Sequence, residues 1–182
     1  MPDKPIILNK TTVAKSRLFR IESLDIQFSN GELRNYERLA RGNPGGAVLI
    51  VPMLDNETVL LIREYSAGVH RYEVGLPKGK TDVNESFLEA ADRELKEEVG
   101  FGARQLHHLS SFSLAPSYLE HTTEIVIARD LYPEKLMGDE PEELEVIPWQ
   151  LSNINNLIAS GKCTEARSIA ALFMTIEYFK NL

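Results

Sequence analysis

Residues 79–101 read GKTDVNESFLEAADRELKEEVGF, and most of that stretch has the period of a helix. Leu88, Ala91, Leu95 and Val99 recur at helical spacing and predict a face that packs on a sheet. Asn84 is placed to cap the start, and Gly100 stands where helices commonly end in the left-handed conformation. At about 100° per residue, Glu94, Glu97 and Glu98 fall in a second stripe that borders the apolar face instead of opposing it. Like charges four residues apart cost roughly 0.2–0.5 kcal/mol even when solvated, and more at a partly buried flank. Arg93 is positioned to pair with Glu97 or with an acid upstream. A hard divalent cation would turn the repulsion into attraction, because Mg²⁺ takes oxygen ligands. The stripe is therefore a candidate Mg²⁺ site.

On both sides of this helix the chain reads as strands. AVLIVPML at 47–54 is a buried strand, TVLLIREY at 58–65 a strand returning from it, and RYEVGLP at 71–77 a short strand entering the helix segment. HHLSSFSL at 107–114, TEIVIARDL at 123–131 and VIPW at 146–149 follow, with the acidic loop MGDEPEELE at 137–145 between the last two. Two helices end the chain, at about 150–159 and 163–180, the second with Ala166, Ile169, Ala170, Phe173 and Ile176 at helical spacing. Ahead of all this, RLFRIESLDIQF at 17–28 alternates apolar and polar residues. Asn30-Gly31 is a hairpin signal, because both residues tolerate positive φ, and ELRNYERLA follows as the partner strand. The turn-rich RGNPGG at 41–46 separates this small antiparallel unit from the rest. The reading is a unit at 1–42 and a larger domain at 43–182, of α+β class: a mixed sheet sandwiched by helices.

With 43% hydrophobic residues the 182-residue chain has enough apolar content for a core, and a formal charge of −7 argues against a nucleic-acid binder. One cysteine, Cys163, excludes an internal disulfide and fits a reducing compartment. The N-terminus lacks a secretory pattern and no apolar run spans a bilayer, so a cytoplasmic location with no membrane partner is expected. His70, His107, His108 and His121 have no zinc-site spacing.

Gly79, then Glu85 after five residues, then RELKEEVGF after seven more, fit the pattern G-x5-E-x7-R-E-U-x-E-E-x-G-U, where U is bulky and apolar. This resembles the Nudix box, and the resemblance extends over most of the chain, nearest to the ADP-sugar pyrophosphatase branch and its bacterial hydrolases of ADP compounds. It implies a Nudix fold and Mg²⁺- or Mn²⁺-dependent hydrolysis of a nucleoside diphosphate derivative. By position Glu94 and Glu98 would be metal ligands, Glu97 a direct or water-mediated one, and the Lys78 carbonyl a further one. Gly79 would let the loop approach closely, and Arg93 with Glu85 would fix the ligands.

Pro116, in LAPSYLEH, resembles a mark of ADP-ribose pyrophosphatases, and Tyr118 a mark of diadenosine polyphosphate hydrolases. Together they imply several ADP-X substrates: ADP-ribose, NADH and diadenosine triphosphate. In this branch the general base comes from a late acidic loop. Here Asp139, Glu140, Glu142, Glu143 and Glu145 occupy that place, with Glu140 or Glu142 as the base and Glu120 as a rival. The resemblance makes Arg63 a phosphate contact and Glu73 a substrate-pocket residue, and it implies a homodimer in which the N-terminal strands are exchanged. The alternatives are a Nudix hydrolase for another substrate (a dinucleoside polyphosphate, coenzyme A or capped RNA) and a Nudix-fold nucleotide sensor without activity.

Overall fold

The computed structural model describes residues 3–42 and 45–181. The boundary expected at 42/43 and the centre of RGNPGG fall on Asn43 and Pro44, outside the described residues, as do Met1 and Pro2. The chain forms two compact units, Met1–Pro44 with Ser113–Thr122, and Gly45–Phe112 with Thr123–Leu182.

The first unit is a three-stranded antiparallel meander, β1 (Ile6–Lys15), β2 (Arg20–Gln27) and β3 (Leu33–Leu39), in that order. The Asn30-Gly31 turn joins β2 to β3 as expected, with Gly31 at φ 85°. The sequence reading began the first strand at 17 and missed β1. Residues 16–19 instead form a turn, in which the Ser16 hydroxyl accepts from the Phe19 amide, and all ten residues of β1 are exposed. A strand without a buried face leaves no alternation to read. Glu22 is buried in this unit at 3% exposure and is held by Arg38 at 3.0 Å and Arg20 at 3.3 Å. Leu39 is clasped by residues 118–120: its amide donates to the Tyr118 carbonyl and its carbonyl accepts from the Glu120 amide.

The second unit holds β4 (Ala47–Pro52), β5 (Thr58–Ser66), β6 (Arg71–Gly75), β7 (Lys78–Lys80), α1 (Phe87–Glu98), β8 (Phe101–Ser113) and β9 (Thr122–Pro133). β10 (Glu145–Gln150), a 3₁₀ turn, α2 (Ile154–Ala159) and α3 (Ala166–Lys180) complete it. The sheets run β7-β4-β9-β8, with β4 and β9 parallel, and β10-β5-β6. β5 returns from β4 after a turn, as expected, with Met53 bridged to Val59 and the Leu54 amide donating to the Thr58 carbonyl, but the two strands lie in different sheets. The apolar runs Val48–Val51 and Val59–Ile62 reflect cover on both faces. Val48, Ile50, Leu60, Ile62 and Val126 pack with Ala91 and Leu95 of α1, whereas Leu49, Val51, Val59, Leu61 and Ile125 pack with Ala171 and Leu172 of α3. This is the helix-sandwiched mixed sheet expected from the sequence. β10, with Pro148, is an edge strand, where a missing amide costs nothing.

Two helix expectations are corrected. Ser86, not Asn84, caps α1: its side chain accepts from the Glu89 amide, and the Glu89 carboxylate accepts from the Ser86 amide. Asn84 takes φ 68° in the preceding turn, while Gly100 at φ 83° ends the helix as anticipated. On α3 the buried residues are Ser168, Ala171, Leu172 and Thr175, so Ala166, Ala170 and Phe173 face outward. The cause is polar satisfaction. The buried Ser168 hydroxyl accepts from the Leu76 amide at 3.1 Å and donates to Glu165 at 2.8 Å. The Thr175 hydroxyl, by contrast, is buried with no hydrogen-bond partner among the described residues. Replacing Thr175 by valine keeps the shape and removes that group. It is expected to stabilise the fold by about 1 kcal/mol in urea unfolding.

No helix among the described residues is long and apolar enough to cross a membrane.

Candidate active site

The box glycine is placed by the sheet. The Ile50 amide donates to the Pro77 carbonyl, and β7 then pairs with β4 so that Gly79 faces Val48. α1 packs beside this edge and brings its acids against the Lys78–Gly79 backbone. A Cβ built on Gly79 would lie 1.9 Å from Glu94 Cδ, so only glycine leaves room for that carboxylate where it stands.

The three acids differ in setting. Glu98 is buried at 3% exposure and its Oε2 accepts from the Lys78 amide at 2.9 Å. Burial pushes its pKa up to about 8, against the opposing pull of Lys78. Glu94, at 9% exposure, is also raised by burial, with Arg93 opposing and Glu97 and Glu140 adding to the rise. Glu97 is half-buried. Arg93 Nη1 donates to Glu94 Oε1 at 2.9 Å and to Glu97 Oε2 at 3.2 Å, so one cationic group is already shared by two acids. Its Nε and Nη2 grip Glu85 at 2.9 and 3.0 Å, and Nη2 also donates to the Lys80 carbonyl. The bond to Arg93 holds the Glu85 carboxyl below its usual range.

A cavity of about 530 Å³ opens over this array, lined by Lys78, Gly79, Lys80, Arg93, Glu94, Glu97 and, from the acidic segment, Met137 to Glu140. Glu98 lies outside that lining, beside the Lys78 amide. Among the described residues no three Asp, Glu, His or Cys side chains stand as a ready-made metal centre. Their oxygens are turned instead to Arg93 and to the Lys78 amide. The donor chemistry nonetheless suits a hard cation: carboxylates packed together, a Cβ-free cradle at Gly79, and a guanidinium already between two of them.

The remaining expected residues divide. Glu140 faces the cavity, whereas Glu142 accepts a hydrogen bond from the Tyr72 hydroxyl at 2.7 Å. Arg63, within β5, pairs with Glu145 at 3.0 Å and does not line the cavity. Glu73 is buried and accepts from Arg71 Nε at 2.5 Å and from the Thr164 amide at 2.9 Å. Burial raises its carboxyl, but the Thr164 and Arg71 bonds outweigh that and hold it low. The Lys78 ammonium pairs with Glu64. In the first unit Glu120 is engaged by Arg38 at 3.1 Å and by the Arg41 amide at 3.0 Å. Pro116 and Tyr118 line another cavity there, of about 360 Å³, with Phe28 and Tyr36. His107 stacks on Tyr178, while His108 contacts Phe87 and Glu124, consistent with opposite faces of a strand.

Sequence reading missed Lys80, Met137 and Tyr72. Lys80 was accessible, because Lys78 and Lys80 alternate on a strand and share a face. Nothing local marks Tyr72, whose partner is seventy residues away.

Comparison with known proteins agrees with this geometry. The model of the NUDIX domain matches residues 43–163, and that of the NudE-type Nudix hydrolase N-terminal domain matches residues 5–38. The chain is 51% identical to the ADP compounds hydrolase NudE of Escherichia coli (strain K12), over 98% of this chain and 95% of that one. It is 27% identical to the ADP-ribose pyrophosphatase of Bacillus subtilis (strain 168), over 91% of each. A crystal structure of an ADP compounds hydrolase superposes with a TM-score of 0.90 at 51% identity, covering 98% of this chain and 96% of that one. The box on α1, the sandwiched sheet and matches spanning nearly the whole length lead to one assignment: the chain belongs to the Nudix hydrolases, among those with a NudE-type N-terminal domain.

Proposed function

We propose that the chain hydrolyses ADP-X compounds to AMP and X-phosphate with Mg²⁺ or Mn²⁺. The observation that carries this reading is the burial of Glu94 against Gly79 in the lining of a cavity that also receives Glu97 and Glu140, with the buried Glu98 beside it on the Lys78 amide. Carboxylates with raised pKa values in a cleft are costly for the fold and suit a site that exchanges protons or binds cations. The names of the relatives supply the substrate class, ADP compounds and ADP-ribose.

Glu94, Glu97, Glu98 and the Lys78 carbonyl would hold the metal. When bound, it would neutralise the diphosphate and stabilise charge developing at phosphorus. The chain's own groups do the rest. Arg93 keeps Glu94 and Glu97 oriented and is itself anchored by Glu85. Lys78 and Lys80 bring positive charge to the rim. Glu140, exposed to the cavity, takes the proton of the attacking water. Pro116 and Tyr118, in an aromatic-lined cavity, would receive a flat heterocycle. Arg63 would contact phosphate on releasing Glu145, and Glu73, locked by Thr164 and Arg71, acts by holding the strand ahead of the box.

The proposal includes a homodimer in a reducing cytoplasm. Its supports are the exposed apolar residues Ile6, Leu8 and Val13 on edge strand β1, and the unpaired, buried Cys163.

The test is AMP release from ADP-ribose, NADH, NAD⁺, diadenosine triphosphate and GDP-mannose at millimolar Mg²⁺ or Mn²⁺. AMP with ribose 5-phosphate from ADP-ribose is expected, and EDTA should abolish it. Tight ADP-ribose binding without product would make the chain a sensor. Turnover confined to GDP-mannose would move it out of the ADP-X class.

A further inference from the structure

The segment between β9 and β10 is tied firmly at its ends and lightly in its middle. At one end the Lys135 ammonium donates to the Glu97 carbonyl at 2.8 Å, and the Leu136 amide to the Lys96 carbonyl. At the other, β10 begins at Glu145, from which the chain is in register along β5 from Arg63 to Thr58. Between them Met137 is 95% exposed although it borders the carboxylate cavity. Among the described residues the hydrogen bond that reaches the middle of this segment runs from Tyr72 Oη on β6 to Glu142 Oε1, at 2.7 Å. The Tyr72 ring is braced edge-on against Tyr65, centroids 5.8 Å apart, and the Tyr65 hydroxyl is bonded to His70 Nδ1 at 2.6 Å. The exposed ring is thus braced on one side, and its hydroxyl is an anchor for a loop that has few others.

Two residues before the anchored Glu142 stands Glu140, which lines the cavity. We propose that Tyr72 is a positioning residue, whose grip on Glu142 holds the acidic segment in the setting that presents Glu140 to the cavity. This rests on the reading of Glu140 as the proton acceptor, and it assigns the two neighbouring acids different work: Glu140 meets the substrate water, and Glu142 is the handle by which the sheet holds the loop. Without the handle the segment would sample settings in which Glu140 is withdrawn. Turnover would then fall by the fraction of time the acid is in place, while ground-state binding of the diphosphate would be little changed.

The test uses the full chain with ADP-ribose and Mg²⁺. Tyr72→Phe keeps the ring and its contact with Tyr65, and removes only the hydroxyl. It is expected to lower kcat by about five-fold, the scale of one hydrogen bond, with KM within two-fold. Glu142→Leu is expected to give a similar fall, and the double variant no further one, because the two residues act as a single unit. Amide hydrogen exchange in residues 137–144 should rise in Tyr72→Phe while exchange in α1 stays as it is. Wild-type kcat in Tyr72→Phe, or losses that multiply in the double variant, would overturn the proposal. So would a Glu142→Leu variant impaired far more than Tyr72→Phe, since Glu142 would then be the base. A separate arm addresses the underlying reading. Glu140→Gln should lose at least about a hundredfold in kcat. If it does not, the assignment of the base fails; if it does while Tyr72→Phe is unimpaired, only the latch fails.

Discussion

Glu98→Gln is expected to lose roughly a thousandfold in kcat, and at the same time to make the metal-free protein more stable above pH 7. The first effect follows from removing one negative ligand from the cation site, at a cost of several kcal/mol of transition-state stabilisation. The second follows from burial. The Glu98 carboxyl is raised from 4.5 to about 8 in the folded chain. A raised acid binds its proton more tightly when folded than when unfolded. Its contribution to stability is therefore greatest below the unfolded value, falls as pH rises from about 4.5 through 8, and is lowest above that. Glutamine carries no charge at any of these pH values and can still accept from the Lys78 amide. Unfolding free energies without metal should converge near pH 5 and separate in favour of the variant by pH 9, by an amount on the order of a few kcal/mol. Added Mg²⁺ should narrow the gap. A ligand at a hundred times its Kd stabilises by about 2.7 kcal/mol, and the wild-type chain would gain this where the variant would not. A variant with less activity but no stability gain at high pH would mean that Glu98 is not a strained, buried acid in solution.

What was legible in the sequence follows the same line between local and distant causes. The helix, its terminating Gly100 and the acid stripe were readable because spacing on one helix fixes which residues share a face. Even the true cap was present: Ser86 and Glu89 form the S-x-x-E signature, overlooked in favour of Asn84. The faces of β4 and β5 were not readable, since an unbroken apolar run fits any register. On α3, counting apolar residues turned the stripe the wrong way. Ser168 belongs inside because Leu76 and Glu165, far from it on the chain or one turn before it, satisfy its hydroxyl. The same limit governs the site. The gathering of the box acids with Arg93 on one helix could be anticipated, as could the acidic segment that carries Glu140 and Glu142. Separating those two needed Tyr72, and finding Glu73 occupied needed Thr164, ninety-one residues on. Partners at such separations leave no period behind.

Gly79→Ala is the other substitution with a large expected effect, and it separates position from composition because every acid remains. Gly79 is not at positive φ, so alanine meets no backbone strain there. The new methyl would instead fall within 1.9 to 2.3 Å of the Glu94 carboxyl atoms, far inside van der Waals contact. The obstacle is the end of a flexible side chain, so the cheapest relief is for Glu94 to swing away, with β7 remaining paired to β4. That movement breaks the bond at 2.9 Å between Glu94 and Arg93 and withdraws one of the acids proposed to bind metal. The melting temperature should shift by no more than about 3 °C, as for a modest local rearrangement. Mn²⁺ affinity, followed by paramagnetic resonance without substrate, should weaken by at least about tenfold, and kcat should fall by roughly a hundredfold or more. A large fall in melting temperature would indicate that the strand, not the carboxylate, gave way. Retained Mn²⁺ affinity and turnover in a fully folded variant would show that the placement of Glu94 is immaterial, and the cradle at Gly79 would then have no part in the chemistry.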